Sequence, residues 1–471
     1  EVDIPFHRRF MIDRQLEPMR DVELLDPNIA AIDIEVFSEA GVIDAKRNPV
    51  NMVSYSDSRG NRRLLVYGAE TRVAHECVSY VDSEKELLEG IGEWMGEFDA
   101  DFIIGYNTDN FDFPYLRERA DRLGVKLVLG VDESNVRLKQ AGMNKEAHVV
   151  GRQHIDLYPV CRRLFNLPRY RLEDVYEAVT GREKKDLTLK EMNDYWRGQE
   201  EKHLSELIEY SLSDVDACVK ISEGVMGLQY ELSRIVGQPV DEVSRMGSGM
   251  RVEYFLMRRA RQEGILVPNV ARGSDMKSRL NRPVKGAFVV EPDTGIHENL
   301  LLFDFRSLYP SIIISHNVDP ATIDCDCCLG EEAFTAPNDV RFCRKTRGFI
   351  PTVLREIIDK RVEVKGLLKK EEDEFKTRVL DVKQQALKIL ANSAYGYYGF
   401  ARARWYCREC AAAITGWGRK YIHDTIEFAG EQGFQVVYGD TDSVYLKHPG
   451  DLNREEIMWK AREFQVKVND K

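Results

Sequence analysis

The stretch Val436-Val437-Tyr438-Gly439-Asp440-Thr441-Asp442-Ser443-Val444-Tyr445-Leu446 places a Gly-Asp-Thr-Asp turn signal between apolar β-formers. This pattern predicts a β-hairpin with a turn of two to four residues. In extended backbone the spacing of Asp440 and Asp442 puts both carboxylates on one side. Two acids this close repel each other unless a cation lies between them, and Mg²⁺ prefers such oxygen ligands. An isolated Asp-Thr-Asp is more often an ordinary polar hairpin tip, so the rest of the chain must decide.

Length and composition are those of a globular protein with two or more domains, since the chain has 471 residues. No run has the apolar length of a membrane span, and no signal peptide is visible, so we expect a cytoplasmic chain with no membrane partner. The net charge of −12 argues against nucleic-acid binding over the whole surface. Residues 341–410, however, hold 17 Lys and Arg against 9 Asp and Glu, and a polyanion would bind there.

The nine cysteines are not spaced as a secreted disulfide framework. Three look like solitary core residues: Cys77, Cys161 and Cys218. Two groups remain, one of Cys325, Cys327, Cys328 and Cys343, the other of Cys407 and Cys410. Free thiols, disulfides and zinc are the alternatives for such groups. Zinc is disfavoured at Cys407 and Cys410, which lack a nearby second CxxC or His pair.

The first half of the chain alternates predicted strands and helices, which indicates an α/β domain. A buried strand over 29–37 carries Asp33 and Glu35 on one side. A second strand over 101–107 leads to Asp112 and a helix over 114–123. A helix from Glu200 to about Leu228 places Tyr210 and Asp214 one turn apart.

These four acids and the tyrosine are candidates for a two-metal site that hydrolyses a phosphodiester, with Tyr210 orienting the water. Each acid alone could instead be a surface or capping carboxylate, and Asp112 is placed to cap the helix that follows it. An unpaired charge in the apolar strand that holds Asp33 and Glu35 would be costly, which favours the metal site.

The second half begins with residues 225–285, which look like a connector. The apolar strand 300–305 that follows predicts a buried Asp304, the expected partner of Asp440 and Asp442. From Pro351 to Tyr398 the pattern predicts an antiparallel helical hairpin with a charged turn at 369–374. Arg361 and Lys365 share a face of the first helix, as Lys388, Asn392 and Tyr395 do on the second. Such faces are commonly solvated, but they could also cradle a triphosphate.

Taken together, six segments resemble the motifs of a family B DNA polymerase, most closely the archaeal replicative type. The polymerase motifs A, B and C resemble Asp304–Ser311, Lys388–Gly396 and Tyr438–Ser443. The three exonuclease motifs resemble Asp33-Ile34-Glu35, Asn107 with Phe111-Asp112, and Tyr210-x-x-x-Asp214. All six stand in the family's order, and the similarity runs over nearly the whole chain.

The resemblance implies an α/β and α+β multidomain fold, with a ribonuclease H-like exonuclease domain, a palm and helical-hairpin fingers. The implied divisions are the end of an N-terminal domain (1–24), the exonuclease (25–225), a connector packing with the N-terminal domain (226–267), the first palm segment (268–350), the fingers (351–400) and a truncated second palm segment without a thumb (401–471). The implied activities are template-directed DNA synthesis and 3′→5′ proofreading in DNA replication.

The resemblance also implies roles for individual residues. Asp304, Asp442 and the Phe305 carbonyl would bind the polymerase metals, with Asp440 close by. The triphosphate would be held by Arg361, Lys365 and Lys388 with help from Asn392, while Tyr309 excludes a 2′-hydroxyl and Tyr395 packs near the nascent base pair. Asp33, Glu35, Asp112 and Asp214 would bind the exonuclease metals, and Tyr210 would position water. In similar archaeal enzymes Cys407 and Cys410 are disulfide-linked, and Cys343 pairs with one of Cys325, Cys327 or Cys328.

The implied cofactor is Mg²⁺, two ions per active site, with Mn²⁺ as the alternative. The implied partners are primer–template DNA, deoxynucleoside triphosphates and a sliding clamp.

This sequence departs from the family pattern between its two halves. Where the family has the motif Tyr-x-Gly-Gly/Ala, this sequence has Val284-Lys285-Gly286-Ala287, so the aromatic residue is missing. The chain begins where the family's N-terminal domain ends and stops at Lys471, so we expect a split enzyme in which a second subunit supplies the thumb. The rival hypotheses are an exonuclease whose polymerase half only binds DNA, and a non-catalytic assembly subunit.

Overall fold

The computed structural model describes residues 4–20, 27–38, 42–328, 332–450 and 452–470. The chain folds as two compact units: Glu17–Arg245, and Met246–Lys471 together with Glu1–Leu16. The first unit is α/β and the second combines a small sheet with long helices, so the predicted fold class is confirmed. None of the described helices combines the length and apolarity that crossing a membrane would require.

Helices and strands are numbered in chain order. The first unit contains β1 (Ile29–Glu35), β2 (Met52–Asp57), β3 (Arg62–Tyr67), β4 (Val78–Val81), α2 (Glu84–Phe98), β5 (Phe102–Gly105), α3 (Asp112–Leu123), β6 (Arg137–Ala141), β7 (Asn144–His148), β8 (Gln153–Asp156), α4 (Leu157–Leu164), α5 (Leu172–Thr180), α6 (Leu189–Gly198), α7 (Glu201–Val236) and α8 (Val240–Arg245). The second unit contains α1 (Phe6–Asp13), α9 (Ser248–Glu263), α10 (Gly273–Leu280), β9 (Val289–Val290), β10 (Leu301–Asp304), α11 (Leu308–Ser315), β11 (Phe334–Thr335), β12 (Arg341–Phe342), α12 (Phe349–Leu368), α13 (Glu374–Gly399), α14 (Arg408–Glu431), β13 (Gln435–Asp440), β14 (Ser443–Lys447) and α15 (Arg454–Asp470).

The sheet of the first unit has six strands in the order β4-β3-β2-β1-β5-β8. β1 pairs antiparallel with β2 and parallel with β5. Because side chains alternate along a strand, Ala30, Ile32 and Ile34 pack into one apolar core, while Ala31 packs into a second core beneath α7. Because Asp33 and Glu35 follow Ala31 at steps of two residues, their side chains lie on the same side of β1, the side that faces α7.

The sheet of the second unit has four strands in the order β10-β14-β13-β9. β13 and β14 form the predicted hairpin, and the turn has two residues, Thr441 and Asp442, between paired Asp440 and Ser443. Thr441 lies in the left-handed region with φ 57°, as tight hairpin turns require. Val444 and Leu446 pack under Phe428 of α14 and Phe464 of α15, and this core fixes the hairpin's register.

The predicted helical hairpin is present as α12 and α13, which are joined by residues 369–373. Asp373 caps α13 by accepting a hydrogen bond from the Lys376 N–H. The predicted start at Pro351 is two residues late, because α12 begins at Phe349.

Two predicted features differ more. The sequence predicts an irregular segment over 1–25, but Phe6–Asp13 form α1, which packs with α9. Residues 1–3 and 21–24 of the predicted N-terminal segment 1–24 lie outside the described residues. The predicted domain boundary at 225 falls inside α7, which continues to Val236 because Val225, Leu232 and Val236 are buried. The unit ends after α8, at Arg245. The other domain boundaries stay predictions.

A buried ion pair joins α2 to α3 in the first unit. Arg119 Nε lies 2.7 Å from Glu84 Oε1, and Arg119 Nη1 donates to the Ala45 carbonyl. The same Glu84 oxygen accepts from the Val50 N–H at 2.9 Å. Both side chains are almost fully buried, at 11% and 5% exposure.

We expect Arg119→Met to destabilise the first unit by roughly 3–5 kcal/mol at neutral pH, because it leaves the Glu84 charge buried without its partner. The matched control is Arg122→Met, which removes the exposed pair with Glu118 on the same helix and should change stability by less than about 0.5 kcal/mol. Urea unfolding followed by circular dichroism measures both. Equal shifts for the two variants would contradict a structural role for the buried pair.

Candidate active sites

The first acidic site lies between β1 and α7. Carboxylate oxygens of Asp33, Glu35 and Asp214 lie within 4.8 Å of one another. Glu35 and Asp214 are each 8% exposed, so water screens their repulsion poorly. The strand supplies two acids by its alternation, and the helix supplies the third from the packed face that also carries Val215 and Cys218.

Asp112 joins the same site from the first turn of α3. Its Oδ1 accepts a hydrogen bond from the Ile34 N–H at 3.3 Å, which ties it to the backbone between Asp33 and Glu35. Asp112 is buried and is itself the first helical residue, after Phe111. The structure therefore brings together all four acids predicted for this site, and the N-cap of α3 is Phe111, not Asp112.

Burial and mutual repulsion dominate the electrostatics here. Burial is the main cause that raises the pKa of Asp33 well above its ordinary value, and the charges of Asp112, Glu35 and Asp214 add to the shift. Burial and the charges of Asp214 and Asp112 raise the pKa of Glu35 in the same way. Burial also raises the pKa of Asp112 to about 7. A divalent cation with oxygen ligands would relieve this repulsion, so the buried donor set fits such an ion.

Tyr210 lies one helical turn before Asp214 on α7. Burial and the carboxylates of Asp214, Glu35 and Asp33 raise the pKa of its phenol, so the hydroxyl keeps its proton at neutral pH. A protonated phenol beside the acids can donate a hydrogen bond to a water or to a phosphate oxygen.

Lys184 is a functional residue that sequence reasoning missed. Its ammonium group forms a buried salt bridge with Asp214 and lies 4.7 Å from the centre of the Tyr210 ring. It opposes the raised pKa of Asp33, Glu35 and Asp214. In the sequence it stands within Arg182-Glu183-Lys184-Lys185-Asp186, a charged run typical of a solvated loop, and carries no signal of burial.

The second acidic site lies where β10 meets the β13–β14 hairpin. Asp304 pairs with Ser443 across the sheet, and the Phe305 N–H donates to the Asp442 carbonyl at 2.8 Å. Burial, then the charges of Asp304 and Asp440, raises the pKa of Asp442, and Lys388 opposes the shift. Asp304, Asp440 and Asp442 therefore lie together as predicted, although among the described residues their oxygens do not form a group within 4.8 Å.

The prediction that Asp304 is buried is wrong, because its side chain is exposed. β10 is an edge strand of the sheet, and along it Leu302 and Asp304 share the exposed side while Leu301 and Phe303 pack inward. Leu302 is 57% exposed. An apolar run can belong to an edge strand covered on one side only, which the sequence does not distinguish from a central strand.

The rings of two tyrosines contact each other beside these acids. The ring centres of Tyr309 and Tyr395 lie 4.3 Å apart, and burial, Tyr395 and Asp442 raise the pKa of Tyr309 to about 12. A Cβ added at Gly418 would lie 3.0 Å from a Tyr309 ring carbon, so the absence of a side chain at this position makes room for the ring. Helices α11, α13 and α14 thus converge on the second site.

The predicted cationic residues lie on the helical hairpin. Arg361 of α12 donates to Gln384 of α13 at 3.3 Å, and burial, followed by the charge of Arg306, lowers the pKa of Arg361. Lys388 lies near enough to Asp442 to oppose the rise of its pKa. Within the described residues the side chains of Lys365, Lys388 and Asn392 make no hydrogen bond or salt bridge, so their donors are available to a ligand.

The Val284–Ala287 stretch is held through its backbone. Thr415 Oγ1 donates to the Lys285 carbonyl at 3.0 Å, and Arg419 Nη1 donates to the Gly286 carbonyl at 2.7 Å. These bonds do not involve the side chain at 284, where the family motif has an aromatic residue. Burial raises the pKa of Tyr309 and of Tyr395, and the positive charge of Arg419 opposes both shifts, a link for which no sequence pattern provides a signal.

The structure contains neither of the disulfides implied by the resemblance, because all nine cysteines are free thiols. Cys407 is the N-cap of α14, and its Sγ accepts from the Cys410 N–H at 3.2 Å. Cys343 does not pair with one neighbour. Its sulfur instead lies among three other sulfurs, those of Cys325, Cys327 and Cys328.

Comparisons with known proteins agree with this arrangement. The family model of DNA polymerase family B matches residues 238–471, and that of the family B exonuclease domain matches residues 21–175. The chain is 40% identical to DNA polymerase 1 of Pyrococcus abyssi and 41% identical to a DNA polymerase of Thermococcus gorgonarius, in each case over 100% of this chain and 60% of the relative. A solved family B DNA polymerase of Pyrobaculum calidifontis is similar with a TM-score of 0.81 and 30% identity, over 98% of this chain and 62% of that one. The chain thus spans 60% of the length of these curated relatives.

The buried carboxyl of Asp112 predicts how stability depends on pH when a chelator removes divalent cations. Its pKa rises from 3.8 to about 7 on folding, so the folded chain binds more protons than the unfolded chain between these values. Stability should therefore fall as pH rises from about 4 to about 7. Asp112→Asn keeps an oxygen for the Ile34 N–H and removes the charge, so it should stabilise the chelated protein by roughly 2–4 kcal/mol at pH 8 and little at pH 4.

Thermal unfolding in chelator across this pH range measures the difference. The control is Asp194→Asn, at an exposed position on α6, which should leave the pH profile unchanged. Adding Mn²⁺ or Mg²⁺ should stabilise the parent protein more at pH 8 than at pH 5. An Asp112→Asn profile parallel to that of the parent would contradict the assignment.

Proposed function

This chain belongs to the family B DNA polymerases, and from that membership we propose that it performs template-directed DNA synthesis in DNA replication and removes mispaired nucleotides by 3′→5′ proofreading. One observation carries the proposal. Each compact unit holds its own set of acids, Asp33, Glu35, Asp112 and Asp214 in one and Asp304, Asp440 and Asp442 in the other. Two such sets suit two separate phosphoryl-transfer reactions.

In the exonuclease reaction, the four buried acids would hold divalent cations, which when bound supply charge neutralisation at the scissile phosphate. Tyr210 keeps its proton and donates it in a hydrogen bond that orients the attacking water. Lys184 holds Asp214 through their salt bridge and reduces the net negative charge that the anionic DNA must approach. The 3′-terminal nucleotide would leave as a monophosphate.

In the synthesis reaction, Asp304, Asp442 and the Phe305 carbonyl would hold the cations, with Asp440 adjacent. The primer 3′-hydroxyl attacks the α-phosphate in line and pyrophosphate leaves. Arg361, Lys365, Lys388 and Asn392 would hold the triphosphate from the helical hairpin, where charged donors to phosphate make strong hydrogen bonds. Tyr309 would lie beneath the sugar and exclude a 2′-hydroxyl, while Tyr395, whose ring contacts that of Tyr309, would pack near the nascent base pair.

The cofactor and partners are part of the same proposal. Mg²⁺, two ions per site, is the expected cation, and Mn²⁺ remains the alternative. Primer–template DNA and deoxynucleoside triphosphates are the expected ligands. A thumb-bearing second subunit, a sliding clamp and a cytoplasmic location stay predictions.

Exchanging one acid in each site should separate the two activities. Asp304→Ala should lower Mg²⁺-dependent primer extension by on the order of 10³-fold or more, because a lost metal ligand removes several kcal/mol of transition-state stabilisation, and should spare 3′ degradation. Asp33→Ala should do the reverse. The measurement is gel electrophoresis of a labelled primer, with and without deoxynucleotides.

Each variant serves as the control for the folding of the other. Extension that is unchanged in Asp304→Ala would refute the assignment of the synthesis site. Degradation without extension by the parent chain, even when a thumb-bearing chain is added, would favour the exonuclease-only alternative.

Lys388→Ala should lower kcat/KM for the incoming nucleotide by roughly 10- to 100-fold, because a charge-assisted hydrogen bond to a phosphate contributes about 1.5–3 kcal/mol. The control is Lys383→Ala, one turn earlier on a different face of α13. Single-nucleotide incorporation at varied nucleotide concentration measures both variants, and exonuclease rates should stay unchanged. Equal losses in the two variants would point to general charge attraction instead of a specific triphosphate contact.

A further inference from the structure

Four cysteines converge near the end of α11, outside both acidic sites. Cys325, Cys327 and Cys328 lie in one loop, and Cys343 directly follows β12. The two segments are joined by backbone hydrogen bonds, from the Cys343 N–H to the Thr322 carbonyl at 2.9 Å and from the Asp324 N–H to the Arg341 carbonyl at 2.8 Å. This pairing brings cysteines 15–18 residues apart in sequence into one cluster.

The distances between the sulfur atoms fit one particular kind of site. Cys327 Sγ lies 3.5 Å from Cys325 Sγ, 4.0 Å from Cys328 Sγ and 3.4 Å from Cys343 Sγ. Cys328 Sγ lies 3.8 Å from Cys343 Sγ. Four thiolates bound tetrahedrally at about 2.3 Å from one zinc ion would lie about 3.8 Å apart, in the middle of this range.

Other occupants fit these distances less well. A disulfide would bring two sulfurs to about 2.05 Å and separate that pair from the other two. An iron–sulfur cluster spreads its cysteines over separate iron atoms, which would hold the thiolates further apart. The cluster therefore has the size of a mononuclear site. We propose that Cys325, Cys327, Cys328 and Cys343 bind one structural zinc ion.

The surroundings support a site with net negative charge. The Thr346 N–H donates to Cys343 Sγ at 3.2 Å, a hydrogen bond that stabilises a thiolate. Lys345 donates to the Cys327 carbonyl at 2.7 Å and forms a salt bridge with Glu332 at 2.9 Å, so its ammonium is shared between the cluster and this carboxylate. Four thiolates around one Zn²⁺ carry two excess negative charges, and N–H donors such as that of Thr346 offset part of them.

The local packing also leaves a role for a metal. The apolar core around the cluster consists of Cys328, Ala333 and Cys343 with the partly buried Cys325, and β11 and β12 have two residues each. Hydrophobic burial at the cysteines themselves therefore contributes little to the stability of this part of the connection between α11 and α12. Structural zinc supplies folding free energy directly in such cases.

The zinc would act on the start of the helical hairpin. Asn317, just after α11, donates to the Cys343 carbonyl at 2.7 Å and accepts from the Gly348 N–H at 2.8 Å. Gly348 is the N-cap of α12, the helix that carries Arg361 and Lys365. Fixing Cys343 thus fixes the point from which α12 extends.

The test is zinc content and thiol chemistry of the purified reduced chain, independent of any polymerase assay. We expect about one zinc per chain by mass spectrometry, released by a mercurial reagent and detected with a chromogenic dye. Co²⁺ added to the stripped chain should give the visible absorption of tetrahedral thiolate coordination. Cys327→Ser, at an exposed position where folding loses little packing, should weaken Zn²⁺ affinity at least about tenfold.

The control is Cys77→Ser, a partly exposed cysteine in the first unit that should keep full zinc content. Three results would overturn the proposal: a reduced chain that neither contains zinc nor takes up Zn²⁺ or Co²⁺, bound iron in place of zinc, or peptide mapping that finds Cys343 in a disulfide. If Cys327→Ser does not fold, Co²⁺ uptake by the parent chain still decides between these results.

Discussion

Like charges held close together in a protein interior are the constraint on which this structure depends. Asp33, Glu35, Asp112 and Asp214 are brought together by packing that has nothing to do with charge: the alternation of β1 places apolar side chains on both faces, and α7 covers one face with Val215 and Cys218. The apolar packing of the first unit therefore supports a carboxylate cluster that is unfavourable by itself. Lys184 offsets part of the repulsion, and a divalent cation would offset the rest.

The two acidic sites differ in how strongly their carboxylates are buried and how close together they lie. In the first unit the acids are buried, close together and strongly perturbed, so the site is nearly complete before any ligand arrives. In the second unit Asp304 and Asp440 are exposed on an open sheet, and burial raises the pKa of Asp442. The cationic residues that would complete that site stand on a separate helical hairpin, so its assembly depends on where α12 and α13 extend from the sheet.

The connection between α11 and α12 also contains a cluster of groups of one chemical kind, here cysteine thiols instead of carboxylates. Four thiols whose sulfur atoms all lie within 4.8 Å of one another are placed by backbone pairing and by the Asn317 bridge. In both the carboxylate and the cysteine cluster, the chain brings several metal-binding groups of one kind together. A bound cation would add folding free energy in either case.

Much of this organisation was readable from the sequence, because period-two alternation and turn chemistry are local. The hairpin around Asp440 and Asp442, the strand of Asp33 and Glu35, and the two long helices of the hairpin were all predicted. The ordered motifs predicted that Asp33, Glu35, Asp112 and Asp214 belong to one site, although Asp214 lies far from Asp33 in sequence. Only the tertiary structure decided which distant residues interact with each other and which side chains are exposed to solvent. The sequence could not show that Lys184 is buried against Asp214, that Asp304 lies on an edge strand, or that four cysteines share one centre, because each depends on which distant segment packs beside it.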